Sequence, residues 1–242
     1  MADNDFYIGP RKYEGVIVFY RMLAGIVGGL AGGLIILIGL ILAGSLLNAL
    51  ADPTAFVSPF AIFMAVSVLF MAGLVGNGLS VFLMSLSDQD KYQNPYRGLL
   101  QVAVINIVIF LISIGAYFIA RSIDISFMIT VALVQFVSSA LASTFVFSAV
   151  TVRPSEFVIE IYGGFISMLL GLGIATLVYF VGNELALFFG LPIIMWFSIG
   201  FFGGLTEFFY YQLYRHTGVD VLETGDADYQ DEGFDEPAER KK

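Results

Sequence analysis

Cysteine is absent from this chain, and histidine occurs once, as His216. The first absence excludes disulfides, thiolate chemistry, cysteine metal sites and iron–sulfur clusters. The second excludes a transmembrane haem held by two histidines of one chain, and a serine–histidine pair inside a membrane. Charge is scarce as well. Asp, Glu, Lys and Arg make up 13% of the residues, about half the usual share. Hydrophobic residues make up 58%, and the mean hydropathy is +0.88. Such a chain cannot cover a water-facing surface, so lipid must do it.

The catalytic signatures are missing too. There is no GxSxG, no HExxH, no P-loop and no charge-rich span of the voltage-sensor kind. Glu156 and Glu160 lie one helical turn apart and read as a solvated interfacial face rather than an acid–base pair. No enzyme activity, cofactor or metal is therefore expected. The net charge of −9 excludes nucleic acid as an expected partner. Nine acids and three bases fall between Thr217 and Lys242, so the acidity belongs mostly to the C-terminal stretch. The first fifteen residues are polar and mixed in charge, unlike a secretory signal or a mitochondrial transit peptide.

What the sequence has is long apolar runs. A bilayer core about 30 Å thick needs roughly 20 apolar helical residues. Six charge-free intervals reach that length: Met22 to Ala51, Pro53 to Ser87, Gly98 to Ala120, Ile125 to Val152, Ile161 to Asn183 and Leu185 to Thr206. Backbone groups in lipid must be satisfied within the segment, so these runs read as helices. They are too long and too uniformly apolar for transmembrane strands. Ser58-Pro59, Asn94-Pro95, Asp124 and Arg153-Pro154-Ser155 supply helix starts. Pro192 reads as the start of the sixth helix proper, with Leu185 to Gly190 as an interfacial or dipping piece.

The expected fold is an all-α integral membrane protein, a six-transmembrane-helix bundle. Its transmembrane domain covers 16–216, with spans at about 22–50, 58–86, 98–120, 125–151, 158–182 and 191–214. A cytoplasmic segment, 1–15, precedes it. A disordered acidic cytoplasmic tail, 217–242, follows it.

Orientation follows from the basic residues near span ends. One side receives Arg11, Lys12, Arg21, Lys91, Arg97, Arg153, Arg215, Arg240, Lys241 and Lys242, and the other only Arg121. Both termini are expected inside, and the membrane is expected to be a prokaryotic plasma membrane. The other side's loops otherwise carry Asp52, Asp124 and Glu184. Tyr13, Tyr20, Tyr92, Tyr96, Tyr162, Tyr210, Tyr211 and Tyr214 gather near the expected inner interface, with Trp196 near the outer one. They read as an aromatic belt.

Two sets of residues stand out. Gly25, Gly29 and Gly33 are spaced by four, as are Gly28 and Gly32. Together they make a smooth helix face on which another backbone can approach closely. The bland reading is packing within the chain, and the sharper one is contact with a second subunit. Gly163-Gly164, Gly171 and Gly173, and then Gly200, Gly203 and Gly204, look like internal counterparts.

The second set is polar. At ~1.5 Å per residue from the flanking charges, Asn106 lies roughly 13 Å deep, Asn77 about 16 Å, Glu207 about 12 Å and Glu160 about 10 Å. All four fall in the inner half. Gln135, with Ser138, Ser139, Ser143 and Thr144, lines part of the fourth segment. A carboxylate within a span is costly and points to function. The bland reading is interhelical hydrogen bonding with a snorkelling carboxylate. The sharper one is a proton or cation site formed by Glu207 with Asn77 and Asn106.

Two functions follow. The leading one is a non-catalytic subunit or scaffold of a membrane protein complex, surrounded by lipid. It would bind other subunits or itself through its glycines, and a basic cytoplasmic partner through its tail. The alternative is a small-solute or ion transporter or channel with a polar site in the inner half of the membrane.

Overall fold

A computed structural model describes residues 15–42, 59–89, 91–123, 125–152, 154–182 and 184–217. They form six helices: α1 (Gly15–Leu42), α2 (Pro59–Ser87), α3 (Pro95–Arg121), α4 (Ile125–Thr151), α5 (Pro154–Val181) and α6 (Glu184–Thr217). Each contains a stretch long and apolar enough to cross a membrane. Their outward faces are apolar too: Leu111, Ile112, Leu169, Leu177 and Phe180 are exposed. Water would penalise such a surface, whereas hydrocarbon does not. The architecture is that of a multi-pass integral membrane protein. The tail from 218 on, the loop holding Asp52, the cap at Asp124, and Arg153 lie outside the described residues.

The observed helices differ from the expected spans in two places that matter. α1 begins at Gly15, seven residues before the first apolar interval, so Arg21 stands within the helix rather than in a loop. α6 runs without a break from Glu184 to Thr217, with Pro192 inside it. The expected start at Pro192 and the separate dipping piece are corrected. A proline removes one backbone donor, but in lipid neighbouring helices can accommodate the local adjustment. Here the α1 backbone at Gly29 packs directly on Pro192 and Ile193.

α1 sits between α2 and α6 and packs closely on both. Added Cβ atoms show why glycine is needed. At Gly25 a Cβ would overlap the Trp196 carbonyl, and at Gly28 it would overlap Ser80. At Gly29 it would lie 2.7 Å from the Ile193 Cα; at Gly32, 3.2 Å from the Ala72 carbonyl oxygen; and at Gly33, 3.3 Å from the Phe189 carbonyl oxygen. All five glycines thus meet α2 or α6 of the same chain. Gly200 and Gly204 of α6 answer them, at Arg21 and Val18. On the flanks, α5 packs on α6 and α3 on α4, and α2 bridges to α3 and α4. Contact between α4 and α5 is sparse.

The end of the bundle where α1 begins is called the inner end here. The α2–α3 and α4–α5 turns meet at this end. The Gln93 amide donates to the Thr151 carbonyl at 2.6 Å, and Tyr92 pairs with Val152 in an isolated antiparallel bridge. Asn94 precedes Pro95 with φ 49°, without a side-chain cap; asparagine tolerates this left-handed conformation. At the opposite end Ile36, Ile62, Val66, Leu69, Tyr117, Phe136 and Leu191 form a buried apolar seal.

Candidate functional site: a neutral four-charge cluster below an amide–serine network

Four charged side chains converge at the inner end, all buried. Arg21 enters from the second turn of α1, Glu160 from the second turn of α5 and Glu207 from α6. Lys91 comes from the α2–α3 turn. Arg21 Nη1 donates to Glu207 Oε1 at 2.5 Å, and Arg21 Nη2 to Glu160 Oε1 at 3.3 Å. Lys91 Nζ pairs with Glu160 Oε2 and lies 2.7 Å from Glu207 Oε2. The Tyr92 hydroxyl donates to Glu160 Oε1 at 3.2 Å, and the Ser148 hydroxyl approaches the same oxygen at 3.4 Å. With both carboxyl groups ionised, two cations face two anions and the charges balance. Neutrality is what makes four ions tolerable in a low-dielectric interior.

Local folding delivers each member. Gly200 lets the α6 backbone approach Arg21, which brings α1 and α6 close enough for the Arg21–Glu207 pair. Asp88 accepts backbone hydrogen bonds from Lys91 and Tyr92, and this tight turn aims Lys91 back into the bundle. Burial alone would push the Lys91 ammonium down, but Glu160 and Glu207 more than offset it and hold it above the ordinary lysine value. Burial pushes the Tyr92 phenol up. Lys91 is therefore a fixed cation, and Tyr92 a neutral donor, at neutral pH.

Farther from the inner end, a second network joins four helices. Asn77 Nδ2 of α2 donates to Ser139 at 2.6 Å, and its other N–H is shared between Ser143 at 3.2 Å and Asn106 Oδ1 at 3.3 Å. Asn106 Nδ2 of α3 donates to Ser143 at 2.9 Å and to the Val102 carbonyl at 2.8 Å. Ser139 donates to Asn106 Oδ1 at 2.5 Å. Trp196 Nε1 of α6 donates to Asn77 Oδ1 at 2.9 Å. Indole N–H can only donate, so it fixes which way the Asn77 amide points.

Of the sequence-derived set, Asn77 and Asn106 meet each other, and Glu207 does not join them. Glu207 and Glu160 meet instead, in the charge cluster. Gln135 is buried apart from both, and its Oε1 has no hydrogen-bond partner among the described residues. Glu160 is not a solvated face: it is buried between two cations. Trp196 is fully buried rather than at the outer interface. Tyr92 and Tyr211 are buried as well, whereas Tyr20, Tyr96 and Tyr162 are exposed as belt residues would be.

Arg21, Lys91, Tyr92, Ser148 and Trp196 are the members that sequence reasoning missed. In the sequence Arg21 and Lys91 stand out only as basic residues near span ends. One signal could have found them: two carboxylates within spans need counter-charges, and these are basic residues at the same end of the bundle.

Comparison of the chain with protein-family models, curated proteins and solved structures gives no match.

Proposed function

We propose that this protein is a small-solute or ion transporter, and that the charge cluster is the inner gate and polar site of its pathway. One observation carries this reading: four ionisable side chains, two basic and two acidic, are buried together at the inner end of a largely apolar bundle. Buried ion pairs are a poor way to stabilise a fold, because apolar side chains of similar volume serve as well or better. Charges inside a membrane bundle are by default parts of ion or substrate pathways. α4 links the two polar layers, since Ser148 reaches Glu160 while Ser143 and Ser139 reach the two asparagines. The apolar seal at the opposite end then closes the route. No catalysis is part of this reading. Both termini and the gate face the cytoplasm, as the basic residues favour.

Reconstituted vesicles test it. Uptake is measured with radiolabelled rubidium, methylammonium and a neutral polyol as probes. Wild type is expected to move at least one of them. Glu207→Gln combined with Lys91→Met keeps the cluster neutral and is expected to lose at least nine-tenths of that uptake while remaining monodisperse. Full uptake by this variant would remove the cluster from the mechanism.

The complex-subunit reading loses its glycine route, because α2 and α6 occupy that face. It keeps one support, a cleft of about 410 Å³ between α4, α5 and α6, lined by Leu133, Val137, Leu172 and Leu191. A partner seated there would co-purify in mild detergent and be released by Leu172→Trp.

A further inference from the structure

Lys91 differs from the other three members of the cluster. Arg21, Glu160 and Glu207 project from helices that pack against one another, whereas Lys91 arrives on a turn. Without it, two carboxylates would face one guanidinium, and the site would carry one unbalanced negative charge. The surroundings of the Lys91 ammonium already resemble a receptor for a cation with N–H groups. Glu160 Oε2 pairs with it directly. Glu207 Oε2 lies 2.7 Å away, yet it is buried and accepts no hydrogen bond. That oxygen sits at ion-pair distance from the tethered ammonium without a hydrogen bond to it. Tyr92 and Ser148 close the other side of Glu160 through its Oε1.

We propose that Glu160 and Glu207 form a binding site for a small primary ammonium cation, occupied in this structure by the side chain of Lys91. Arg21 offsets one of the two carboxylate charges, which leaves the site selective for a monovalent cation. An incoming alkylammonium presents three N–H groups, pairs with both Oε2 atoms in place of the Lys91 ammonium, and displaces the turn from the inner end. A quaternary ammonium has the charge but no N–H donor and cannot replace it. This deepens the transporter reading, on which it rests for the route by which the ligand arrives. The binding itself can be measured without transport.

The test is chemical rescue. Lys91→Gly removes the tethered ammonium and leaves room for a free one. Melting of purified Lys91→Gly in detergent is followed at constant ionic strength with methylammonium, ethylammonium, tetramethylammonium or sodium chloride. Methylammonium and ethylammonium are expected to raise its melting temperature saturably, by about 3 °C or more. Tetramethylammonium and sodium are expected to have no effect. Wild type, where a free cation must compete with the tethered one, is expected to need at least about tenfold more methylammonium or ethylammonium for the same shift.

If Lys91→Gly does not fold alone, the readout is its yield of monodisperse protein when extracted with each salt. Recovery with methylammonium but not sodium supports the proposal. No rescue, or equal rescue by all four salts, overturns it. Rescue without any vesicle uptake would keep this site and sink the transporter reading. Uptake without rescue would do the reverse.

Discussion

The charges at the inner end illustrate how one buried atom constrains its neighbours. Removing a single member of a buried ion cluster leaves an uncompensated charge, at a cost of about 3–5 kcal/mol. Lys91→Met and Glu207→Gln should each be strongly destabilising, and the double variant less so than the sum of the two, because neutrality is restored. Chemical denaturation in detergent over this double-mutant cycle checks it, and simple additivity would contradict the coupling. The amide network should behave more mildly. Trp196→Phe deletes one interhelical hydrogen bond, worth ~0.6–2 kcal/mol in membrane bundles. Asn77→Leu strands the Trp196 N–H and removes the amide that joins Asn106, Ser139 and Ser143. It should cost more than Trp196→Phe in the same assay. Lys91 also has a pH signature. Its pKa is raised, so its contribution is fully present below the ordinary lysine value and is lost progressively as pH rises from there through the raised one. The titration of Lys91 itself should therefore leave wild-type stability flat from about pH 8 to about pH 10, as melting of wild type over that range would show.

Among the elements, α1 is the one whose sequence was most informative and most easily misread. Its glycine spacing announced close packing, and the contacts at Gly25, Gly28 and Gly29 show how close. Spacing alone does not say which helix fills the groove, since α2, α6 and a second subunit would all suit it. Charge counting placed the start of α1 after Arg21, because a free arginine in a span is costly. The partners that remove that cost lie 139 and 186 residues away, beyond the reach of any local rule. Depth likewise grouped Glu207 with Asn77 and Asn106. Position along the axis separates them: α6 meets Asn77 at Trp196, and Glu207 lies about three turns farther along the same helix, about 16 Å nearer the inner end. The packing account makes a direct comparison. Gly25→Ala should prevent or severely weaken folding, because a methyl there meets a backbone carbonyl. Gly173→Ala, with nothing within 4 Å, should be close to neutral. Monodisperse yield and melting temperature distinguish them, and equal tolerance would contradict the α1–α6 geometry.

For the molecule as a whole, the class of fold was legible because hydrocarbon imposes a strict rule: long apolar runs with satisfied backbones. What the bundle does was less legible, because the site is assembled from α1, α5, α6 and a turn, one or two residues from each. The cluster, the gate and the ligand all presuppose that these six helices cross a bilayer with the Lys91 turn on the cytoplasmic side. The chain has no cysteine, so single cysteines can report on this directly. Gln93, beside Lys91, and Ser122, in the α3–α4 turn, are both exposed and lie at opposite ends of α3. The decisive measurement is labelling of Gln93→Cys and Ser122→Cys in intact cells with a membrane-impermeant maleimide. Ser122→Cys should react in intact cells and Gln93→Cys only after the membrane is opened. Reaction of both in intact cells, or the reverse pattern, would contradict the account.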